Sequence, residues 1–166
     1  SRDYTPRRYD AAAGELDIDF VIHGDGPASS WAETASVGDV LHVGGPRGSM
    51  VVADDFDHYV MVGDATALPA IGRWLEHMPA DRNVTVLIEV SSAEERQALA
   101  RDVTWFVAGE SPRMDEALAA LPIPQGDTFW WVATESKRAR ALRSLLVEQR
   151  GVDKEWVKAT GYWQAD

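Results

Sequence analysis

The chain has 166 residues, 45% of them hydrophobic, with no cysteine and a formal net charge of −11. This length suits one domain or slightly more with a packed core, and the acidic balance argues against nucleic-acid partners and stable association with anionic membranes. Disulfides and thiolate-ligated metals are excluded, and no apolar run approaches the roughly 20 residues that span a bilayer, so a soluble cytoplasmic protein is expected.

Residues 1–53 have the pattern of antiparallel strands. A strand through YTPRRYD and the turn AAAGE lead to LDIDFVIH, whose apolar residues recur at every second position and predict a hairpin with one buried face: Leu16, Ile18, Phe20 and Ile22. A short helix is expected through ASSWAETA, and GDVLHVGG is predicted to be a third strand. Three strands cannot close a barrel, so residues 1–53 are predicted to be part of a larger β-barrel domain.

Residues 54–166 alternate between strands and helices. Five segments are apolar enough for buried strands: HYVMVG, NVTVLIEV, VTWFVA, TFWWVA and WVKAT. Three segments have apolar residues at helical spacing: LPAIGRWLEHM, MDEALAAL and SKRARALRSLLVEQRG. The alternation predicts a five-stranded parallel sheet covered on both faces. The fold class is therefore α/β, a partial antiparallel β-barrel followed by a parallel α/β domain.

The first strand of this domain ends in VGDATALPAIG, a turn of small residues. Ligands bind at the carboxyl ends of such strands, and a following helix N-terminus attracts phosphate. Pro69 falls near the first turn of that helix, where proline is tolerated. The candidate nucleotide-binding residues are Gly63, Asp64, Thr66 and Ala67. The alternative is an ordinary strand-to-helix turn capped by Thr66.

The next strand ends beside Glu89. An acidic residue roughly 20 positions after a glycine turn can bind a ribose 2′-hydroxyl, which would favour NADH over NADPH. The alternative is a carboxylate at the sheet edge that faces water.

Small residues also precede the predicted helix near residue 30. Backbone N–H groups and hydroxyls of the loop, at Gly26, Ala28, Ser29 and Ser30, are suited to a pyrophosphate. Arg2 and Tyr4 share one face of the predicted first strand, where arginine suits phosphate and tyrosine a flat ring. The alternatives are a solvated arginine and a core tyrosine.

Six motifs occur in order along the chain: R-x-Y-T-x-R, HGDGPASSWA, GGPRG, VGDATALPAI, WWVATES and GYW. Together they resemble the siderophore-interacting protein family, flavin-dependent ferric-siderophore reductases related to ferredoxin–NADP⁺ reductases. The resemblance implies that residues 1–53 are the C-terminal part of a flavin-binding barrel and that residues 54–166 bind NAD(P). It implies FAD contacts from Arg2, Tyr4, Thr5, His23, Gly26, Ala28, Ser29, Ser30 and Trp31.

The implied reaction passes electrons from NADH or NADPH through FAD to the Fe³⁺ of a siderophore, which then releases its iron. No catalytic acid or base and no metal ligand of the protein is needed, because the cofactor supplies the chemistry. A basic patch would attract an anionic siderophore, and three arginines are candidates, each with solvated surface arginine as the alternative: Arg7, Arg8 and Arg47.

The chain departs from the family pattern at three places. It begins at the R-x-Y-T strand, Thr134 stands where the family has glycine, and Gln164 follows the closing Y-W where arginine is common. The missing strands keep open a non-catalytic module that binds a nucleotide or a partner without flavin, and a reductase with a different acceptor is a third hypothesis. An exposed strand edge also predicts a homodimer through residues 1–53.

Overall fold

The computed structural model describes residues 2–22, 26–45, 48 and 50–165. Its strands are β1 (Pro6–Asp10), β2 (Glu15–Ile18), β3 (His58–Asp64), β4 (Asn83–Val90), β5 (Thr104–Val107), β6 (Thr128–Glu135) and β7 (Val157–Trp163). The α-helices are α1 (Pro27–Thr34), α2 (Leu68–His77), α3 (Met114–Ala120) and α4 (Ser136–Ser144), and a π-helical turn, Leu145–Gln149, extends α4. None of the helices in these ranges has the length and apolar character needed to cross a membrane.

Strands β3 to β7 form one parallel sheet in the order β5-β4-β3-β6-β7. Helix α2 covers one face, where Ile71 and Leu75 pack with Met61 and Trp131. Helices α3 and α4 and the π-helical turn cover the other face around Trp130, and they contribute four apolar residues: Met114, Leu118, Leu142 and Leu146. The predicted five-stranded α/β unit is therefore confirmed. Its strands are apolar runs without a polar face, which is the pattern of strands covered on both faces.

The turn between β3 and α2 requires a residue without a side chain at position 63. A Cβ on Gly63 would lie 2.6 Å from the Cβ of Ala67 and 3.1 Å from the Cδ1 of Ile71. Ala67 and Ile71 are both fully buried. This close approach seats the start of α2 directly on the central strand, so the turn is fixed in place by packing.

The N-terminal part differs from the prediction. Strands β1 and β2 form an antiparallel hairpin, but β1 starts after Tyr4 and β2 ends at Ile18. Residues 38–45, predicted to be a third strand, hold none. Backbone in that segment has no neighbouring strand among the described residues, and a strand is stable only when a neighbour completes its hydrogen bonds. The predicted buried face is only partly formed, because Ile18 and Phe20 are half-buried but Leu16 and Ile22 are 38% and 48% exposed.

The hairpin is attached to helix α2 by arginine contacts. Arg7 forms a bidentate pair with Glu76, with Nη1 and Nη2 at 3.0 and 2.6 Å from the carboxylate oxygens. Its guanidinium lies over Gly72, where a Cβ would be 3.3 Å from Nε and Nη2. Arg73 donates to the carbonyl of Pro6 at 3.3 Å. These contacts set the position of the N-terminal part relative to the sheet.

Candidate functional site

An open cavity of about 470 Å³ lies at the carboxyl edge of the parallel sheet. This is the edge at which open α/β sheets bind their ligands. Val21 and Trp163 contribute to its wall, so the N-terminal part and strand β7 both reach it. The polar wall comes from the ends of β3, β4 and β6 and the start of α4: Asp64, Thr66, Glu89, Thr134, Glu135 and Arg138.

Asp64, at the end of the central strand, is the centre of a hydrogen-bond network. Its Oδ1 accepts from the backbone N–H and the hydroxyl of Thr66, at 3.0 and 2.5 Å. Its Oδ2 accepts from Thr134 Oγ1 at 2.7 Å and from Trp163 Nε1 at 2.8 Å. The expected cap was Thr66, but Asp64 caps the turn and Thr66 is the residue capped. Asp64 therefore joins three strands at the cavity wall.

Thr134 fills the position where the resemblance implied glycine. The residue is fully buried, and its hydroxyl is used by Asp64. Its bulk is thus accommodated in the wall of the cavity, and its hydroxyl gives Asp64 a hydrogen bond that a glycine could not supply.

Glu89 is paired with Arg138, an arrangement that neither sequence hypothesis anticipated. Arg138 Nη1 and Nη2 donate to the two Glu89 oxygens at 2.6 and 3.0 Å. Arg138 Nε and Nη2 also donate to Asp115 Oδ1 at 2.9 and 2.6 Å. Burial alone would lower the pKa of Arg138, but the hydrogen bonds and charges of Glu89 and Asp115 outweigh it and raise the pKa. The Glu89 side chain is only 17% exposed, so it is not a carboxylate standing in water.

Glu135 begins helix α4. Its Oε2 accepts from the backbone N–H groups of Lys137 and Arg138 at 2.7 and 2.9 Å. The bond from the Arg138 N–H is the main cause that lowers the pKa of Glu135. The next residue, Ser136, donates its hydroxyl to the carbonyl of Trp163 at 2.8 Å. These bonds fix the start of α4 and the end of β7 together at the cavity.

The N-terminal candidate residues gather around an aromatic group. Tyr4 packs on Phe20 with ring centroids 4.7 Å apart, and Phe20 packs on Trp31 at 5.7 Å. Tyr4 remains 40% exposed. Burial raises the pKa of Tyr4, while the charge of Arg2 opposes that shift, so Arg2 lies near this ring. The exposed part of the Tyr4 ring is thus available to a flat ligand.

Helix α1 starts next to this aromatic group. Gly26 is its N-cap and supplies no side-chain oxygen to the first N–H groups. A Cβ at Gly26 would meet nothing within 4 Å. Ser29 is buried, and its hydroxyl donates to the carbonyl of Val21 at 3.4 Å. The open helix start and the half-exposed tyrosine fit a ligand that carries a diphosphate and a flat ring system, as FAD does.

Several candidate residues have a different place from the one expected. Gly63 and Ala67 are buried beneath the turn and support the cavity wall from below. The two candidate cations of the hairpin are already paired, Arg7 with Glu76 and Arg8 with Glu15 and Asp17. His23 and Arg47 lie outside the described residues. Thr5, Ala28 and Ser30 stay predicted flavin contacts.

Sequence reasoning did not identify four residues of this site: Thr134, Trp163 and Arg138, which line the cavity, and Asp115, which pairs with Arg138. The contacts of Thr134 and Trp163 with Asp64 span 70 and 99 residues of chain. The available signals were the departure of Thr134 from the expected glycine and the place of Trp163 in the closing GYW motif. Arg138 was one of several basic residues in a helix, with nothing local to set it apart.

The two-stranded hairpin and the five-stranded parallel sheet define the class, an α/β fold of the ferredoxin–reductase type. The chain belongs to the siderophore-interacting protein family: the model described as siderophore-interacting protein matches residues 56–166, and the siderophore-interacting FAD-binding domain matches residues 1–50.

Three similar proteins carry informative names. The NADPH-dependent ferric-chelate reductase of Escherichia coli is 38% identical over 99% of this chain and 66% of its own length. Ferric vibriobactin reductase ViuB of Vibrio cholerae is 34% identical over 98% of this chain and 64% of its own length. A siderophore utilization protein from T. fusca has a TM-score of 0.87 and 40% identity, covering 98% of this chain and 66% of that structure. The chain thus spans slightly less than two thirds of these relatives.

Proposed function

We propose that the protein takes part in the flavin-dependent reduction of ferric siderophores by a reduced nicotinamide dinucleotide. The observation that carries this proposal is the cavity at the carboxyl edge, which the parallel sheet and Val21 of the flavin-type region line together. A nucleotide on the sheet would therefore lie beside the aromatic group and helix α1. We propose the ferric substrate from the names of the relatives from E. coli and V. cholerae.

The flavin side of the proposal rests on the N-terminal residues. The backbone at Gly26 and Ala28 would receive the FAD diphosphate at the start of α1, assisted by the hydroxyls of Ser29 and Ser30. Tyr4 would lie against the flavin ring, with Arg2 and Thr5 on either side of it in sequence. Bound FAD supplies the conversion between a two-electron hydride donor and one-electron acceptors.

The nucleotide side rests on the cavity. Thr66 and the turn after Asp64 would face the donor, and Glu89 lies where a ribose would be held. Overall, one NAD(P)H and two Fe³⁺ give NAD(P)⁺, one proton and two Fe²⁺, which hard siderophore oxygens hold less tightly. The described site offers orientation and charge, and no acid–base residue is needed for outer-sphere electron transfer. We place the reaction in the cytoplasm, where reduced nicotinamide dinucleotides are available.

Absorbance spectra of the purified chain, before and after addition of FAD and desalting, test the flavin assignment. We expect retained flavin, and Tyr4→Ala should lose most of it. The matched control is Tyr9→Ala, since Tyr9 is 63% exposed on β1 and outside the aromatic group. Flavin retention that is the same in both variants would contradict the role of Tyr4.

Turnover with ferric siderophores, followed by trapping of Fe²⁺ with a coloured chelator, tests the acceptor. Reduction of other acceptors with no reduction of ferric siderophores would favour the third hypothesis, a reductase with a different acceptor.

A nucleotide-binding module without flavin is the second candidate. It is favoured by the apolar side chains that residues 37–51 leave in water, among them Val37, Val40 and Val43, at 109%, 74% and 60% exposure. A colourless protein that still binds a nicotinamide dinucleotide would support this candidate.

The same surface favours a homodimer through residues 1–53, because exposed apolar residues and unpaired strand edges associate. Light scattering over a range of concentrations tests it. A monomer at high concentration would contradict the dimer.

A further inference from the structure

We propose that the ion-pair group Glu89–Arg138–Asp115 makes the cavity select a nicotinamide dinucleotide without a 2′-phosphate, so that NADH is preferred to NADPH. The inference rests on the proposed function and adds two specificity-determining residues to it, Arg138 and Asp115. Three features carry it: the use of the guanidinium donors, the net charge of the group and its rigid placement.

The donors of Arg138 are largely used within the group. A guanidinium has five N–H donors. Four bonds run to the carboxylates, two to Glu89 and two to Asp115, at 2.6 to 3.0 Å. An arginine that recognises a phosphate needs two parallel donors for the bidentate contact. Arg138 can offer them only if one of its carboxylate partners is displaced.

The charge of the group also opposes a phosphate. Two carboxylates and one guanidinium sum to one negative charge, with Glu89 and Arg138 in the cavity wall and Asp115 in contact with Arg138. A 2′-phosphate brings up to two further negative charges close to it, and like charges at short range repel strongly in a partly buried site. A ribose hydroxyl brings no charge. It can donate to a Glu89 oxygen, because a carboxylate oxygen accepts more than one hydrogen bond.

The three side chains are held by separate parts of the fold. Glu89 belongs to β4, Asp115 to the first turn of α3 and Arg138 to the first turn of α4. Their side chains are 17%, 34% and 21% exposed. Displacing either carboxylate would break two of the four hydrogen bonds and leave that carboxylate without its partner in a partly buried place. The arrangement is therefore expected to persist when a nucleotide binds.

The first experiment compares 5′-AMP with 2′,5′-ADP by isothermal titration calorimetry on the full unmodified chain. These probes differ only in the 2′-phosphate and need neither flavin nor turnover. We expect 5′-AMP to bind at least about tenfold more tightly, the equivalent of one charge-assisted hydrogen bond. Equal or tighter binding of 2′,5′-ADP would overturn the inference but leave the proposed nucleotide site standing. If neither probe bound, the proposed nucleotide site would fall, and the inference with it.

The second experiment tests whether Asp115 is responsible. Asp115→Asn removes one charge while keeping an acceptor for Arg138, and should tighten 2′,5′-ADP binding severalfold, with a much smaller change for 5′-AMP, which lacks the 2′-phosphate. The matched control is Glu116→Gln, which removes the same charge from the same helix turn. Glu116 accepts instead from the backbone N–H of Arg113, at 3.2 Å. An equal gain in 2′,5′-ADP affinity in both variants would show that the effect comes from the overall charge. That result would overturn the role of Asp115.

A third measurement uses the donors themselves. The rates with NADH and NADPH at equal concentration, with a ferric siderophore as acceptor, should favour NADH and shift toward NADPH in Asp115→Asn. A clear preference of the unmodified chain for NADPH would overturn the inference.

Discussion

The parallel sheet and the N-terminal part of this chain use their apolar residues in opposite ways. In the sheet, the four consecutive residues Tyr59–Val62 are all at most 2% exposed, and helices close both faces. In the N-terminal part, Val37, Val40 and Val51 are at least 74% exposed. Among the residues that the structure describes, only the first region has a core of its own. The second takes its position from contacts with helix α2, through Arg7 and Arg73.

This difference separates stability from function within the same chain. The sheet carries most of the folding free energy and supplies the polar wall of the cavity, to which the N-terminal part adds Val21. The flavin-type residues lie on a region with few buried contacts, so bound cofactor should stabilise that region more than the sheet. Substitutions that act on one region should therefore leave the other almost unchanged.

The largest expected effect is the loss of a core side chain from the sheet. Ile71→Ala should lower the free energy of unfolding by about 3 kcal/mol, because it leaves a cavity beneath α2. Val40→Ala, in the N-terminal part, should change it by less than about 0.5 kcal/mol. Urea unfolding followed by tryptophan fluorescence measures both. Similar losses in the two variants would mean that the N-terminal part has a core of its own.

A smaller effect is expected from one added methyl group. Gly63→Ala should destabilise the protein by about 2 kcal/mol, because the new Cβ overlaps Ala67 and must push α2 away from β3. Gly44→Ala is the control, since a Cβ there meets nothing within 4 Å. Equal melting temperatures for Gly63→Ala and the unmodified chain would show that the turn can shift without loss.

Loss of the Arg7–Glu76 pair, which joins the hairpin to α2, should change the local dynamics of the hairpin more than the free energy of unfolding. Glu76→Gln weakens a partly exposed ion pair, worth less than about 1 kcal/mol. Amide hydrogen exchange in β1 and β2 should nevertheless quicken, with α2 unchanged. Glu15→Gln breaks a pair inside the hairpin instead, with Arg8. If Glu15→Gln quickened exchange just as much, the Arg7–Glu76 pair would not be what holds the hairpin.

The smallest effect is a pH dependence from the amino edge of the sheet. Burial lowers the pKa of His58 below its usual 6.5, and its Nε2 lies 2.9 Å from Thr85 Oγ1. Below pH 6.5 the unfolded chain binds a proton that the folded chain resists, so stability falls as the pH drops toward the lowered folded pKa. Replacing His58 with Gln should flatten this slope, whereas His42→Gln, in the exposed segment, should not. If the slope of stability against pH stayed the same in both variants, His58 would not be its cause.

The sequence pattern predicted the sheet well because strands that are buried on both faces are continuous apolar runs. The segment NVTVLIEV coincides with strand Asn83–Val90, and the expected helical faces of α2, α3 and α4 are the buried ones. The same reasoning failed at residues 38–45. Their alternating pattern fits a strand, but a strand also needs a partner, and local sequence does not record whether one is present.

The candidate site was predicted only in outline. The glycine turn, Asp64 and Glu89 were found because the carboxyl ends of strands follow from the strand assignments. Their partners were not, since Trp163, Thr134, Asp115 and Arg138 come from distant parts of the chain. Which arginine of α4 faces Glu89 depends on how the helix packs, and that is fixed only in three dimensions.

The strand order has a consequence for the order in which the polypeptide is made. The central strand β3 is synthesised before both of its neighbours, and Asp64 at its end must wait 99 residues for Trp163. The apolar residues Tyr59–Val62 of β3 therefore leave the ribosome without a partner strand while β4 is still inside the exit tunnel. The cavity wall is complete only once β7 has emerged, so a nascent chain halted before residue 157 should be unable to hold a nucleotide at the proposed site and should be a substrate for chaperones.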